Sequence, residues 1–190
     1  WYIGEEDGDL KELFFGDWRM GDKNRWTSLE NKDKRTKEFK QAQKIREKLR
    51  KQAEEEQKKV HQQKAKESLE IWEASRPATK EHAYLLSKRV LPHETRINDR
   101  NQLVIPLMDV DADFQTLQFI DEKGKKLFLS CGKKKGGFFW IGVSPEEQTP
   151  KVLLVCEGFA TGATLHEITG YPVVVAFDAG NLKPVLQRIL

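Results

Sequence analysis

The chain has 190 residues and a mass of 22.0 kDa, room for one ordinary domain or two small ones. Hydrophobic residues make up 38% and charged residues 33%; an average globular domain has about 45–50% and about 25%, so a core can form only if the charge is concentrated in one segment. No apolar run approaches the ~20 residues of a membrane helix, no secretory leader opens the chain, and two cysteines, Cys131 and Cys156, cannot build a zinc ribbon or a disulfide framework. No zinc is therefore expected, and the cysteines read as reduced, mostly buried thiols of a cytoplasmic protein. The first residue is Trp1 rather than Met, which reads as a piece of something longer.

The net charge is +3 and unevenly spread. Residues 1–33 carry 5 basic and 9 acidic groups, residues 34–75 carry 13 and 8, and residues 76–190 carry 15 and 13. Residues 1–33 read as the β-rich remnant of an N-terminal domain. Trp1, Tyr2, Ile3, Leu13, Phe14, Phe15, Trp18 and Trp26 are punctuated by turn-formers at Asp7-Gly8, Gly16-Asp17 and Gly21-Asp22. So short a piece cannot close a core, and it is expected to belong to a β-element that begins before Trp1.

Residues 34–76 form a long charged linker helix. From Lys34 to Ser75 there is no Gly and no Pro, and Lys, Glu, Gln and Ala dominate. Its apolar stripe (Phe39, Ala42, Leu49, Ala53, Val60) is interrupted by Arg46 and Glu56, which favours a solvated connector over a coiled coil. The first half, Lys34 to Lys51, has 9 basic and 2 acidic residues and suits either a phosphate-binding face or a soluble spacer.

Residues 77–147 read as a β-rich domain. A break at Pro77 precedes a short helix over His82–Lys88 ending at Pro92, and a four-stranded meander follows: Leu103–Leu107, Phe114–Ile120, Lys126–Ser130 and Phe138–Ile141. Residues 148–190 then give a β-α-β-α unit. Val152–Cys156 is the apolar run of a strand buried on both faces; a helix over Thr161–Thr169 stops at Gly170; Val173–Phe177 is a second, parallel strand; a helix over Leu182–Leu190 follows. The predicted class is α+β.

Ligands of a parallel sheet collect beyond the carboxyl ends of its strands. Glu157 stands there on the first strand and Asp178 on the second, a pair of acids suited to Mg²⁺. An acid favoured by the following helix dipole explains Glu157 equally well. Gly158–Gly162 is neither a dinucleotide fingerprint nor a nucleophile elbow, since its centre is Ala160, and no P-loop occurs. His82, His93 and His166 show no metal-ligand spacing, and Arg96 and Arg100 are minor candidates for nucleic-acid contact.

The run Val155-Cys156-Glu157-Gly158-Phe159-Ala160-Thr161-Gly162-Ala163-Thr164-Leu165-His166-Glu167, followed by Ala176-Phe177-Asp178-Ala179-Gly180-Asn181-Leu182, resembles the Toprim domain of phage- and plasmid-type DNA primases. The resemblance extends upstream in the family's order through Phe15-Gly16-Asp17-Trp18-Arg19, Ile71-Trp72-Glu73, His82-Ala83-Tyr84-Leu85, Leu103–Leu107, Leu117–Ile120 and Lys135–Phe139. It implies that residues 77–147 are the basic-ridge domain of such a primase and residues 148–190 the N-terminal half of Toprim. It further implies RNA primer synthesis on single-stranded DNA from nucleoside triphosphates, with Glu157 catalytic, and Glu157 and Asp178 on Mg²⁺ or Mn²⁺. Gly158, Thr161, Gly162, Gly180 and Asn181 then form the supporting loops. The family's later Asp-x-Asp strand is not among these residues, since Asp109-Val110-Asp111-Ala112-Asp113 lies in an upstream turn, so weak metal binding and little or no activity are expected of this piece.

The ridge reading assigns template and nucleotide binding to Lys123, Lys125, Lys126, Lys133, Lys134 and Lys135, with Phe138 or Trp140 stacking on bases. A charged hairpin tip that merely stays soluble is the alternative. Two other classes remain open: a non-catalytic single-stranded DNA-binding module, and an interaction piece whose helix Lys34–Ser75 pairs with itself or with a replicative helicase. No membrane partner is expected.

Overall fold

A computed structural model of the chain describes residues 1–7, 10–17, 21–28, 37–142 and 150–190. The Gly8 end of the first predicted turn, Trp18-Arg19, residues 34–36 of the predicted helix and the 147/148 boundary lie outside the described residues. The fold is α+β. The described chain forms two compact units, Trp1–His61 and Gln62–Leu190, and the division falls inside the long helix.

In the first unit, β1 (Tyr2–Asp7), β2 (Leu10–Phe15) and β3 (Asn24–Thr27) form an antiparallel sheet in that order, with Tyr2 opposite Phe15 and Leu13 opposite Trp26. Period-two alternation puts Ile3, Glu12 and Phe14 on one face. Onto that face packs the first half of α1 (Lys37–Ala74), through Ala42, Ile45 and Leu49. Arg46, expected to interrupt the stripe, instead reaches the buried Glu12, Nε to Oε1 2.8 Å, and Lys48 pairs with Glu5 at 2.7 Å. This corrects the solvated-connector reading for that half. The stripe continues in a sheet-covering face, and Leu49 and the buried Ala53 belong to an internal core rather than to a coiled-coil seam.

The second unit continues from α1. β4 (Arg76–Pro77), α2 (Ala83–Lys88), β5 (Arg96–Ile97), β6 (Leu103–Met108), β7 (Phe114–Ile120) and β8 (Lys126–Phe128) follow, and β4 to β8 make a five-stranded antiparallel sheet in sequence order. Then come β9 (Phe139–Ile141), β10 (Leu154–Cys156), α3 (Phe159–Thr169), β11 (Val173–Val175) and α4 (Ala179–Ile189). As the sequence predicts, β10 and β11 are parallel. β9, expected as the last strand of the meander, instead pairs antiparallel with β11, so the second sheet runs β10-β11-β9; an isolated backbone bridge between Met108 and Phe138 links this edge to the end of β6.

β11 is therefore the strand buried on both faces. Val173 and Val175 share a core with Phe139, Ile141, Phe159 and Ala163, while Val174 and Ala176 pack with Phe138 and Val185 of α4. The first of these cores runs on into Leu103, Ile105, Leu107 and Ile120 of the larger sheet. β10, expected to be doubly buried, is the edge of the three strands, with Leu154 and Val155 only half-buried. Gly162 lets α3 lie close against the sheet, since a Cβ there would stand 2.8 Å from Val175 Cγ2.

Candidate functional site

The carboxyl ends of β10 and β11 lie side by side, Cys156 opposite Val175, with Ala176 N donating to Cys156 O at 2.8 Å. Just beyond them come Glu157, exposed, and Asp178. Both acids precede helices that start earlier than the sequence predicts. Gly158 is the N-cap residue of α3 and Asp178 that of α4, and the Asp178 carboxylate accepts from Asn181 N at 2.9 Å. One Asp178 oxygen thus serves its own helix, while Glu157 keeps its carboxylate in solvent. Among the described residues, no group of three or more His, Cys, Asp or Glu side chains is arranged to hold a metal ion.

The strand ends meet two basic segments. Lys126, at the start of β8, brings its Nζ to 3.5 Å from where a Cβ on Gly158 would stand. The next inward residue of that strand, Phe128, meets Phe177 edge to face at 6.2 Å between ring centres. Phe177 sits buried in the turn between β11 and α4 with φ of 70°, a left-handed conformation that costs a bulky side chain energy and marks the turn as held by its surroundings. Lys134 completes this group, its Nζ 4.8 Å above the Phe128 ring. Lys123, Lys125 and Lys135 are exposed. Asp121 accepts from Lys123 N and Lys125 N and so shapes the turn that carries those two lysines.

The 133–137 loop is fixed to the same turn by a buried amide. Asn181 Oδ1 accepts from Gly136 N at 2.6 Å, and its Nδ2 donates to Gly137 O at 2.9 Å and to Ala176 O at 2.8 Å. Lys133 is half-buried; desolvation, then the charge of Arg188, hold its ammonium below the usual lysine range, with Asp109 pulling the other way. Burial pushes the Cys156 thiol up to about 11, so this cysteine is inert, whereas Cys131 is only partly covered.

Two expectations are corrected by the structure, those for Phe138 and Arg96. Phe138 is 1% exposed, in the core under α4 with its ring edge-on to Trp140, and cannot stack on a base. Arg96 stacks 4.7 Å over Trp72 and donates to Trp72 O at 2.8 Å, closing the carboxyl end of α1 rather than facing a ligand. Arg100 lines a cavity of about 540 Å³ between that end of α1 and Phe119, Leu127 and Phe128. His82 is buried on Asn101 O, His93 donates to Glu167 Oε1 at 2.6 Å, and His166 donates to Tyr171 O at 2.8 Å. Asp109 accepts from Asp111 N and Asp113 N and organises the turn in which the sequence places it. Thr161 and Gly180 lie exposed in the first turns of α3 and α4.

Two residues of this neighbourhood carry no signal in the sequence. Arg188 is one of several helix cations until the fold lays it across Gly136, and Phe177 is one more apolar residue of a strand until its φ is known.

With this geometry in view, two proteins from Escherichia coli, both named DNA primase TraC, are similar to the chain. One is 34% identical over 115 residues, covering 60% of this chain and 11% of its own length. The other is 33% identical over 108 residues, covering 56% and 8%. Over that stretch the chain is similar to these two proteins. It spans about a tenth of the length of these relatives. No family model matches the chain, and no solved structure matches it.

Proposed function

We propose that this chain is the part of a plasmid- or phage-type DNA primase in which a basic β-domain delivers single-stranded template and nucleoside triphosphates to a Toprim half-site. The observation that carries the reading is the approach of Lys126 to Gly158 beside Glu157, together with the contact of Phe128, which lies under Lys134, with Phe177 beside Asp178. Cations beside a solvent-facing carboxylate, at the carboxyl ends of parallel strands, suit a phosphate-bearing substrate held with a divalent ion. The relatives' name agrees with that chemistry.

Glu157, supported by the second oxygen of Asp178, is the set that would hold Mg²⁺ or Mn²⁺, with water and phosphate oxygens in the remaining positions. When bound, the ion neutralises charge developing on the transferred phosphoryl group during nucleotidyl transfer. Two carboxylates, one already committed to a helix cap, fit such an ion weakly, so the chain alone is expected to prime poorly. Its working place is the cytoplasm beside a replicating mobile element, where a helicase is the natural companion; no described helix is long and apolar enough to cross a membrane.

The engagement of Asp178 with its own helix favours a second reading, a nucleic-acid-binding module without catalysis. Fluorescence anisotropy with single-stranded and duplex DNA at two salt concentrations, with Lys133, Lys134 and Lys135 changed to Ala, tests the basic domain. Preferential single-strand binding that weakens with salt and with the triple change supports the primase reading, and no binding at low salt overturns it. Binding indifferent to Mg²⁺ and to Glu157→Gln, with no primer synthesis even from a longer chain, selects the module.

A further inference from the structure

We propose that Lys133 and Arg188 together form a phosphate-binding pair on the α4 side of the 133–137 loop, separate from the position of Lys134 over Phe128. The inference rests on the nucleic-acid reading above and adds to it a residue, Arg188, and the anion it takes.

Arg188 is set against the loop that Lys133 opens by close packing on Gly136. Gly136 has φ of +76°, and a Cβ on it would overlap Arg188 Nε, so the guanidinium lies directly across a bare backbone. Arg188 Nη1 donates to Gly136 O at 3.4 Å, a long bond that leaves most of the five-donor fork unspent. The loop under it does not yield, since buried Asn181 holds Gly136 and Gly137 from the other side. Lys133 opens the same loop and feels the Arg188 charge.

Among the described residues no carboxylate makes an ion pair with Lys133 or Arg188. Asp109, whose charge reaches Lys133, already spends Oδ1 on Asp111 N and Asp113 N and Oδ2 on Gln115 Nε2, the last at 2.7 Å. Lys133 is half-buried and Arg188 exposed, and their like charges oppose each other until an anion lies between them. A phosphate suits the arrangement: a guanidinium fork takes two of its oxygens and an ammonium a third, each through a charge-assisted bond. That phosphate belongs either to the backbone of a nucleic-acid strand or to a free nucleotide.

The test uses the 190-residue chain and its Arg188→Gln, Lys133→Gln and Arg188→Lys variants, each first shown to keep the parent's thermal midpoint. Fluorescent oligo(dT) is titrated over a salt series, and ATP binding is measured separately. For a single strand, each lost phosphate contact lowers the slope of log K against log salt by about 0.7. The expected result is that fall for each Gln variant, with Arg188→Lys keeping the slope; a residue that only braced the loop would not be rescued by lysine. If the slope falls and ATP affinity does not, the phosphate is a strand's. If ATP affinity falls and the slope does not, it is a nucleotide's. A parent that binds while the Gln variants match it in both arms overturns this inference and leaves the primase reading standing. A parent that binds neither probe overturns both.

Discussion

Asn181 holds Gly136 from one end of the candidate site to the other, Oδ1 to backbone N at 2.6 Å across 45 residues of sequence. The same amide donates to Gly137 O and Ala176 O, so one buried side chain joins the glycine loop, the end of β11 and the first turn of α4. Nothing mobile is needed to bring the lysines of that loop to the strand ends, because the loop is bonded to the turn that carries Asp178.

Replacing Asn181 with Ala leaves one buried N–H and two buried carbonyls without this partner, each costing about 1–3 kcal/mol if nothing replaces it. We expect a loss of about 3 kcal/mol, read by urea unfolding, together with faster amide exchange at Gly136. Asn181→Asp keeps the acceptor but turns a carboxylate toward two carbonyls, and is expected to be no better tolerated. A loss below about 1 kcal/mol would mean that water takes over the amide's bonds.

Glu157 makes the opposite prediction. Its side chain is exposed and has no protein partner described, so Glu157→Gln should leave stability within about 0.5 kcal/mol of the parent. In a chain long enough to prime, the same change should abolish Mg²⁺-dependent primer synthesis while single-strand binding persists. Retained synthesis would remove Glu157 from the metal site.

The element types were legible because each carried a clean local pattern: a helix with no Gly or Pro over Lys34–Ser75, and apolar runs ending in acids at Glu157 and Asp178. The same acids hid the helix starts. Asp178-Ala179-Gly180 reads as a turn, yet Asp178 caps α4 and the two small residues form its first turn. The partner of β9 was illegible for another reason: its spacing from β8 suits a meander, and only the burial of Val173–Val175 on both faces calls it to β11. Phe138 shows the limit of composition, since an aromatic beside Lys-Gly repeats can as well fill a core as stack on a base. Arg188 needed the fold outright, its contact lying 52 residues upstream.

Glu167 predicts a pH dependence. Burial opposes its charge, but the Leu91 N–H, the His93 hydrogen bond and the charges of His93 and His166 outweigh burial and hold the carboxyl below its ordinary 4.5. A carboxyl depressed on folding stabilises the fold above its unfolded value and loses that contribution as pH falls through the folded one. The parent's thermal midpoint should therefore drop below about pH 4.5 more steeply than that of Glu167→Gln. Parallel curves throughout would show that the Leu91 and His93 contacts contribute nothing that titrates.

The pair Arg46–Glu12 decides whether the first half of α1 is part of a core. Glu12 is 2% exposed, its Oε2 finds no partner among the described residues, and Arg46 supplies the one bond to its Oε1, at 2.8 Å. Two ions withdrawn from water are roughly offset by their attraction, but a lone buried carboxylate is not. Arg46→Met is thus expected to cost about 3–5 kcal/mol, while Arg46→Met with Glu12→Met recovers most of the loss, since apolar side chains of similar size then fill the contact beside Ile45 and Leu49. Circular dichroism melts of the full chain read both. If Arg46→Met proves neutral, α1 does not cover the β1–β3 sheet in solution, and the helix reverts to the solvated connector that its interrupted stripe first indicated.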